Sequence, residues 1–276
     1  MNEDRIRQYY SQDPGREWER LLDAGGGAIE FELTRRLIER HVPGQARVLD
    51  IGGGPGRYTV YMASRGRTVV LADLVPELLE VARQQIAAAD VGPNVEEVVV
   101  ADACDLSRWG SASFDGVLAL GPFYHLTDAG RREAAAREIA RVLKRGGVVF
   151  AAFMPRLVFI RRSMLVPQEW GHLRDQEFVR GVLEDGVFRN DNPGRFDEGY
   201  GARPEEVAPF FEQFGFQSLG LVAPEGIAPV AYSELIDMAS SDPESYAAAI
   251  DVLEMTASEP SILGAANHLL YVGRKR

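Results

Sequence analysis

Apolar positions along the chain alternate between two rhythms. Short runs rich in Val, Leu and Ala at 47–51, 68–72, 95–101, 114–120 and 148–154 read as buried strands. Between them, amphipathic stretches read as helices at 56–65, 76–89 and 129–144. Pro76 suits the first turn of its helix, and Gly146-Gly147 ends the last one. Upstream, Ile29, Leu33 and Leu37 recur at helical spacing, so 28–41 is a helix with one apolar stripe, stopped by Pro43-Gly44. Strands alternating with helices imply βαβ units and a parallel sheet. The rhythm fails at 155–203, which holds Pro155, Pro167, Trp170, His172, Asn190, Asn192 and Pro193. That segment is too long for a plain loop and reads as a cap with short helices. It resumes with a helix at 204–214, a strand at 216–223, helix over 233–257 broken at Asp242-Pro243, and a last strand at 266–273. Residues 2–23 scatter Tyr9, Tyr10, Trp18, Leu21 and Leu22 among charges, an amphipathic arm broken by Gly25-Gly26-Gly27. The expected division is an arm at 1–45, a core at 46–154 and 204–276, and a lid insertion at 155–203.

Composition sharpens this picture by exclusion. With 46% hydrophobic and 26% charged residues, the chain can build its own core. A single cysteine, Cys104, removes a disulfide framework and a cysteine metal cage. A net charge of −11 repels a nucleic-acid backbone, so no nucleic-acid partner is expected. No apolar run is long enough for a membrane span. Met1-Asn2-Glu3-Asp4-Arg5 is too polar for a signal peptide. The expectation is a cytoplasmic protein with a small-molecule partner and no membrane contact, its oligomeric state open.

The first strand runs into Asp50-Ile51-Gly52-Gly53-Gly54-Pro55-Gly56-Arg57. A glycine-rich turn between strand and helix lets a ligand approach the backbone, at the edge where open parallel sheets bind ligands. The dinucleotide pattern G-x-G-x-x-G fails here, because Arg57 stands where a small residue is needed. The phosphate-binding ending Gly-Lys-Ser/Thr is also absent. An acidic residue two places before the first glycine disfavours a pyrophosphate and fits a cationic ligand better.

Here the chain resembles the class I S-adenosylmethionine-dependent methyltransferases, over about 46–154 and more weakly to the C-terminus. The turn matches that family's first motif. Ala72-Asp73-Leu74, Ala101-Asp102-Ala103 and Leu120-Gly121-Pro122-Phe123-Tyr124-His125 follow in order, each at a strand end. The resemblance implies an α/β, doubly wound, mostly parallel seven-stranded sheet in the order 3-2-1-4-5-7-6, the last strand antiparallel. That is a Rossmann-like methyltransferase fold with an N-terminal helical arm and a lid insertion. It implies S-adenosylmethionine as cofactor, S-adenosylhomocysteine as product, and no metal. Asp73, nineteen residues after Gly54, would accept bonds from the ribose hydroxyls. Asp102 would accept from the adenine amino group, with the Ala103 N–H on a ring nitrogen. Gly52 and Gly54 would bed the methionine part, and the backbone at Leu120 and Gly121 would face the ammonium and sulfonium. Asp50, Gly53, Gly56 and Leu74 complete the implied cofactor-binding set.

Methyl transfer from a sulfonium is an in-line displacement, so positioning supplies much of the catalysis. His125, with Tyr124 beside it, is the candidate catalytic pair, His125 as general base. Its structural alternative is a histidine that bonds backbone or seats the cofactor. Nucleobase amino methyltransferases carry Asp/Asn-Pro-Pro-Tyr/Phe at this point; Gly121 and Phe123 break that pattern. Metal-dependent catechol-type enzymes need carboxylates here, and Leu120-Gly121 offers none; Asp191-Asn192 reads as a turn. In the arm, Tyr9, Tyr10 and Trp18 are candidates to face the sulfonium, and Arg20 to pair the cofactor carboxylate. The alternative for all four is packing on the body, and Glu30 and Phe31 are similarly placed. Met164, Trp170, His172, Phe178 and Phe188 line an acceptor pocket or form the core of the lid. Arg274-Lys275-Arg276 reads as a solvated tail. The expected activity is methyl transfer to a small-molecule acceptor, at oxygen or nitrogen. The alternatives are a noncatalytic S-adenosylmethionine-binding module, a peptide or protein methyltransferase, and a nicotinamide-dependent oxidoreductase.

Overall fold

Strand β1 (Arg47–Ile51) is buried on both faces, and the molecule is built outward from it. The structure, a computed structural model, describes residues 3–21, 26–190 and 198–276. Leu22, Gly25 and the segment Asp191-Asn192-Pro193 lie outside the described residues. Strand β2 (Thr68–Asp73) pairs parallel with β1 on one side, and β3 (Val95–Val100) continues that flank. On the other side come β4 (Phe114–Ala119) and β5 (Leu143–Pro155), both parallel. Two strands of the lid, β6 (Val187–Arg189) and β7 (Glu198–Ala202), form a hairpin whose second strand pairs with the end of β5. The last two strands are β8 (Phe216–Val222) and β9 (Leu269–Lys275), and β9 runs antiparallel between β5 and β8. Counting core strands alone, the order is 3-2-1-4-5-7-6 with the last antiparallel. The lid hairpin is an addition that the apolar pattern did not predict, because it is short and half-exposed.

Helices cover both faces of the sheet. On one face lie α3 (Gly26–His41), α4 (Arg57–Ser64) and α5 (Pro76–Ala88). Their apolar sides (Ile38, Met62, Leu79) meet Val48, Val69 and Leu71. On the other face lie α6 (Ala129–Val142) and α9 (Pro204–Glu212), where Ile139 and Phe211 meet Leu49, Val70 and Val149. Consecutive strand residues point to opposite faces, so Val48 and Leu49 enter different cores. This is the near-continuous apolar reading of parallel strands covered twice. Several boundaries moved by a few residues: the last strand runs Leu269–Lys275 rather than 266–273, the helix expected at 204–214 ends at Glu212, and the sixth helix ends at Val142 rather than 144, where the chain enters β5 through an irregularity in the β4–β5 register near Gly146, φ +81°.

The arm is two short helices, α1 (Glu3–Ser11) and α2 (Pro14–Arg20), both packed against α5. Asp13 caps α2 by accepting from the Arg16 N–H at 3.3 Å. The lid comprises α7 (Leu157–Leu165), a turn of tighter helix at Pro167–Arg174, α8 (Gln176–Arg180) and the β6–β7 hairpin. The buried Arg156 guanidinium holds it, donating to the Gly201 carbonyl at 3.2 Å, the Glu184 carbonyl at 3.1 Å and the Glu206 carboxylate at 3.1 Å. Toward the C-terminus, α10 (Tyr232–Ser241) and α11 (Pro243–Thr256) split at Asp242-Pro243, and α12 (Pro260–Leu263) precedes β9. Among the described residues, no helix is long and apolar enough to cross a membrane.

Candidate active site

The carboxyl ends of β1, β2 and β4 open into a cleft that partly faces solvent and is roofed by the arm. Its floor is the glycine turn. Gly52 and Gly54 adopt φ +68° and +55°, conformations that L side chains avoid. A Cβ on Gly52 would strike the Pro122 ring at 2.7 Å, and one on Gly53 would strike the Asp50 carboxyl at 2.6 Å. The turn is thus clamped between the β4 loop above and Asp50 below. Phe123 fixes the β4 loop by stacking on Phe153 at 5.0 Å and meeting Phe211 edge-on at 5.4 Å.

Asp50 is 1% exposed and accepts from the Thr59 hydroxyl at 2.7 Å, tying α4 to β1. Burial pushes its carboxyl up to about 7, against the Thr59 bond and helped by the nearby Asp73 charge. Asp73 is 7% exposed and lines the cleft. Its two oxygens accept from the Gly54 N–H at 2.8 Å and the Val75 N–H at 2.9 Å. Each oxygen keeps a lone pair for a further donor. Burial raises Asp73 to about 6, with the backbone donors pulling the other way.

Asp102, Ala103 and Leu74 line the same cleft with Leu120 and Gly121. Asp102 does not stand free: Oδ1 accepts from the Cys104 N–H at 2.9 Å and Oδ2 from Arg131 at 2.6 Å. Arg131 was absent from the expected site and neutralises the carboxylate at this end of the cleft.

Tyr124 and His125 line the same cleft. The Tyr10 hydroxyl from α1 lies 2.9 Å from Nε2 of His125, with the rings edge-to-face at 5.5 Å. Burial depresses His125 to about 4, so the imidazole is neutral at pH 7. Burial also raises the Tyr10 and Tyr124 phenols, which keep their protons.

For the cover, the alternatives are separated by where each side chain packs. Arg20 reaches the cleft, but its guanidinium pairs with Glu30 at 3.1 Å and Glu17 at 3.3 Å, so it does not offer an unpaired charge to a carboxylate. The lid aromatics do not line the cleft. Phe178 and Phe188 pack with His172, which stacks on Phe178 at 4.4 Å. Met164 and Trp170 face outward, 59% and 55% exposed. Tyr9 packs with Arg16 through a 2.8 Å bond, and Phe31 packs on Tyr58.

Sequence reading also missed a charged cluster behind Arg20. Nδ1 of His268 lies 3.3 Å from Glu30 and 3.4 Å from Glu225. Tyr232 donates to Glu225 at 2.7 Å, and Asn267 donates to the same oxygen. Burial disfavours the charge on His268, yet the Glu30 and Glu225 carboxylates outweigh it and hold the imidazole up to about 10. Burial likewise opposes ionisation of Glu30, but His268 and Arg20 hold it down to about 2. One donor atom from each of Glu30, Glu225 and His268 lies within 4.8 Å of the others, a spacing that suits a divalent cation. Imidazolium and Arg20 already answer both carboxylates there. The residues sit far apart in sequence, and only the antiparallel β9, which starts at the sheet's reactive edge, brings His268 to Glu30.

The comparisons with known proteins agree with this geometry. A family model described as a methyltransferase domain matches residues 49–151. The chain is 36% identical over 128 residues to a ubiquinone biosynthesis O-methyltransferase of Xanthomonas axonopodis, covering 46% of this chain and 50% of that one. The chain thus spans about half the length of that curated relative. It is 25% identical to the tRNA 5-carboxymethoxyuridine methyltransferase of Escherichia coli, covering 70% and 68% of the two chains. Its fold is that of the Burkholderia thailandensis 1,6-didemethyltoxoflavin-N1-methyltransferase, solved with S-adenosylhomocysteine: TM-score 0.57, 16% identity, 98% and 87% coverage. Residues 49–151 are therefore a methyltransferase domain of the class I S-adenosylmethionine-dependent family.

Proposed function

We propose that the chain transfers a methyl group from S-adenosylmethionine to a small-molecule acceptor, at oxygen or nitrogen, by in-line displacement. The observation that carries this reading is Asp73 at the mouth of the glycine turn. Two backbone N–H groups hold its carboxylate while leaving lone pairs toward the cleft, which suits a vicinal diol. Gly52 and Gly54 leave the backbone bare where the methionine part would lie, and the Ala103 N–H marks the adenine end. The cofactor, when bound, supplies an electrophilic methyl on a good leaving group.

The chain's own residues then position and desolvate the acceptor. Tyr10 and Tyr124 flank His125 and close the cleft from two sides. A neutral imidazole depressed to about 4 is a weak base. It accepts a proton that becomes acidic as the new bond forms, rather than stripping one beforehand. The acceptor therefore brings a free lone pair: an acidic phenol, an amine or a ring nitrogen can pass its proton to His125, whereas a carboxylate has none to pass and needs only positioning. The arm at 1–45 acts as the cover and 155–203 as the outer wall of the acceptor space. Thr127, beside the β4 loop, donates to Glu198 of the hairpin at 2.8 Å, linking that wall to the site.

The net charge of −11 favours a small acceptor over RNA, although one relative is named for a tRNA nucleoside. The test is an acceptor screen with methyl-labelled S-adenosylmethionine, with small phenols, carboxylates and amines in one arm and unmodified tRNA in the other. Label transferred to a small acceptor supports the proposal. Label transferred to tRNA alone overturns the acceptor class. Cofactor binding without turnover on any acceptor favours the binding-module alternative.

A further inference from the structure

Arg57 opens α4 directly after the glycine turn and lines the cofactor cleft. Its guanidinium lies over the Trp18 indole of the arm, 4.1 Å from the ring centroid, with Phe31 at 5.8 Å. Nε and Nη2 are buried, and neither has a hydrogen-bond partner among the described residues. Burial lowers the Arg57 pKa, and among the described residues no carboxylate pairs with it. A cation at a helix N-terminus also opposes the helix dipole. A guanidinium left in this state carries a desolvation cost with two donor nitrogens unused. An anion that presents oxygens to its edge, while the indole keeps its face, would complete such a site.

We propose that Arg57 is the receptor for the α-carboxylate of the cofactor, and that Trp18 of the arm is its platform. This rests on the S-adenosylmethionine reading of the cleft. That cofactor carries one carboxylate, on the methionine part, which the bare backbone of Gly52 and Gly54 would bed next to α4. Arg20 already shares its charge with Glu30 and Glu17, which makes Arg57 the better candidate. Because one guanidinium holds the ligand by its edge and the arm by its face, carboxylate capture and arm docking stabilise each other.

The test is calorimetric binding of S-adenosylmethionine and of decarboxylated S-adenosylmethionine, which lacks only the carboxylate. Arg57→Met should weaken the intact cofactor about 10- to 100-fold and change the decarboxylated form less than about threefold. Arg57→Lys should recover part of the loss, since a point charge replaces a fork. Trp18→Ala should weaken the intact cofactor about 3- to 10-fold, with the decarboxylated form affected less. Circular dichroism checks each variant's fold, and Arg57→Lys carries the test if Arg57→Met fails to fold. Intact cofactor binding to Arg57→Met as tightly as to the native chain would overturn the assignment. Equal loss of both ligands would also overturn it, reducing Arg57 to an arm contact. If the native chain binds neither ligand, the cofactor reading itself fails, and the carboxylate assignment with it.

Discussion

Asp73 is the residue on which cofactor affinity turns, and its protonation state makes that testable. In the free protein burial holds it at about 6. Ribose hydroxyl donors favour the carboxylate, so binding lowers that pKa and releases a proton below about pH 6. Affinity for S-adenosylhomocysteine is expected to be flat above about pH 7 and to weaken by up to tenfold per unit below about pH 6. Asp50, pushed up to about 7, keeps its proton over that lower range, so the slope reports Asp73. Asp73→Asn should bind weakly at every pH, and a variant that keeps the native slope would contradict the assignment. In the same cleft, His125→Ala should cut turnover about 100-fold with S-adenosylhomocysteine binding changed less than about threefold. Because His125 sits near 4, the native kcat profile should show no inflection from it between pH 5 and 8. Unchanged turnover in the variant would leave His125 as a packing partner of Tyr10. Asp50, Asp73 and His125 were legible in the sequence because each sits in a contiguous motif at a strand end. The pairing of Arg131 with Asp102 was not, because it depends on which way α6 presents its first turn.

Among the elements, the arm and the C-terminal strands meet through charge. Glu30 of α3, Arg20 of α2, Glu225 after β8 and His268 before β9 form one partly buried network. The folded pKa of His268, about 10, lies above its unfolded value of about 6.5. Its contribution is therefore complete below about pH 6.5 and is lost as pH rises through 10. Glu30, held at about 2, contributes above about pH 4.5 and loses that contribution as pH falls through 2. His268→Gln should lower stability by about 3 kcal/mol near pH 6 and flatten the fall in Tm between pH 7 and 10. A variant with the native Tm and the native alkaline slope would show that the network contributes nothing. The apolar rhythm predicted the sheet's core strands and the split at Asp242-Pro243, because buried parallel strands and prolines leave strong local signals. It left the lid's hairpin unseen: β6 spans three residues and, among the described residues, pairs with β7 alone. Of the two readings of the lid aromatics, Phe178 and Phe188 follow the lid-core one and pack with His172, while Trp170 faces outward.

For the whole molecule, the strand order decides where chemistry can occur. Parallel strands carry β1, β2 and β4 to one edge with their carboxyl ends together, and antiparallel β9 brings His268 to that edge from the other direction. The cleft, the glycine turn and the arm all lie there, and the cofactor reading joins them in one account. Calorimetric titration with S-adenosylhomocysteine tests that reading most directly, using the native chain and Asp73→Ala, with NADH as the competing ligand. Micromolar binding to the native chain, loss of that binding in the folded variant, and none to NADH are the expected results. Native-like binding to Asp73→Ala, or binding of NADH in place of S-adenosylhomocysteine, would contradict that reading.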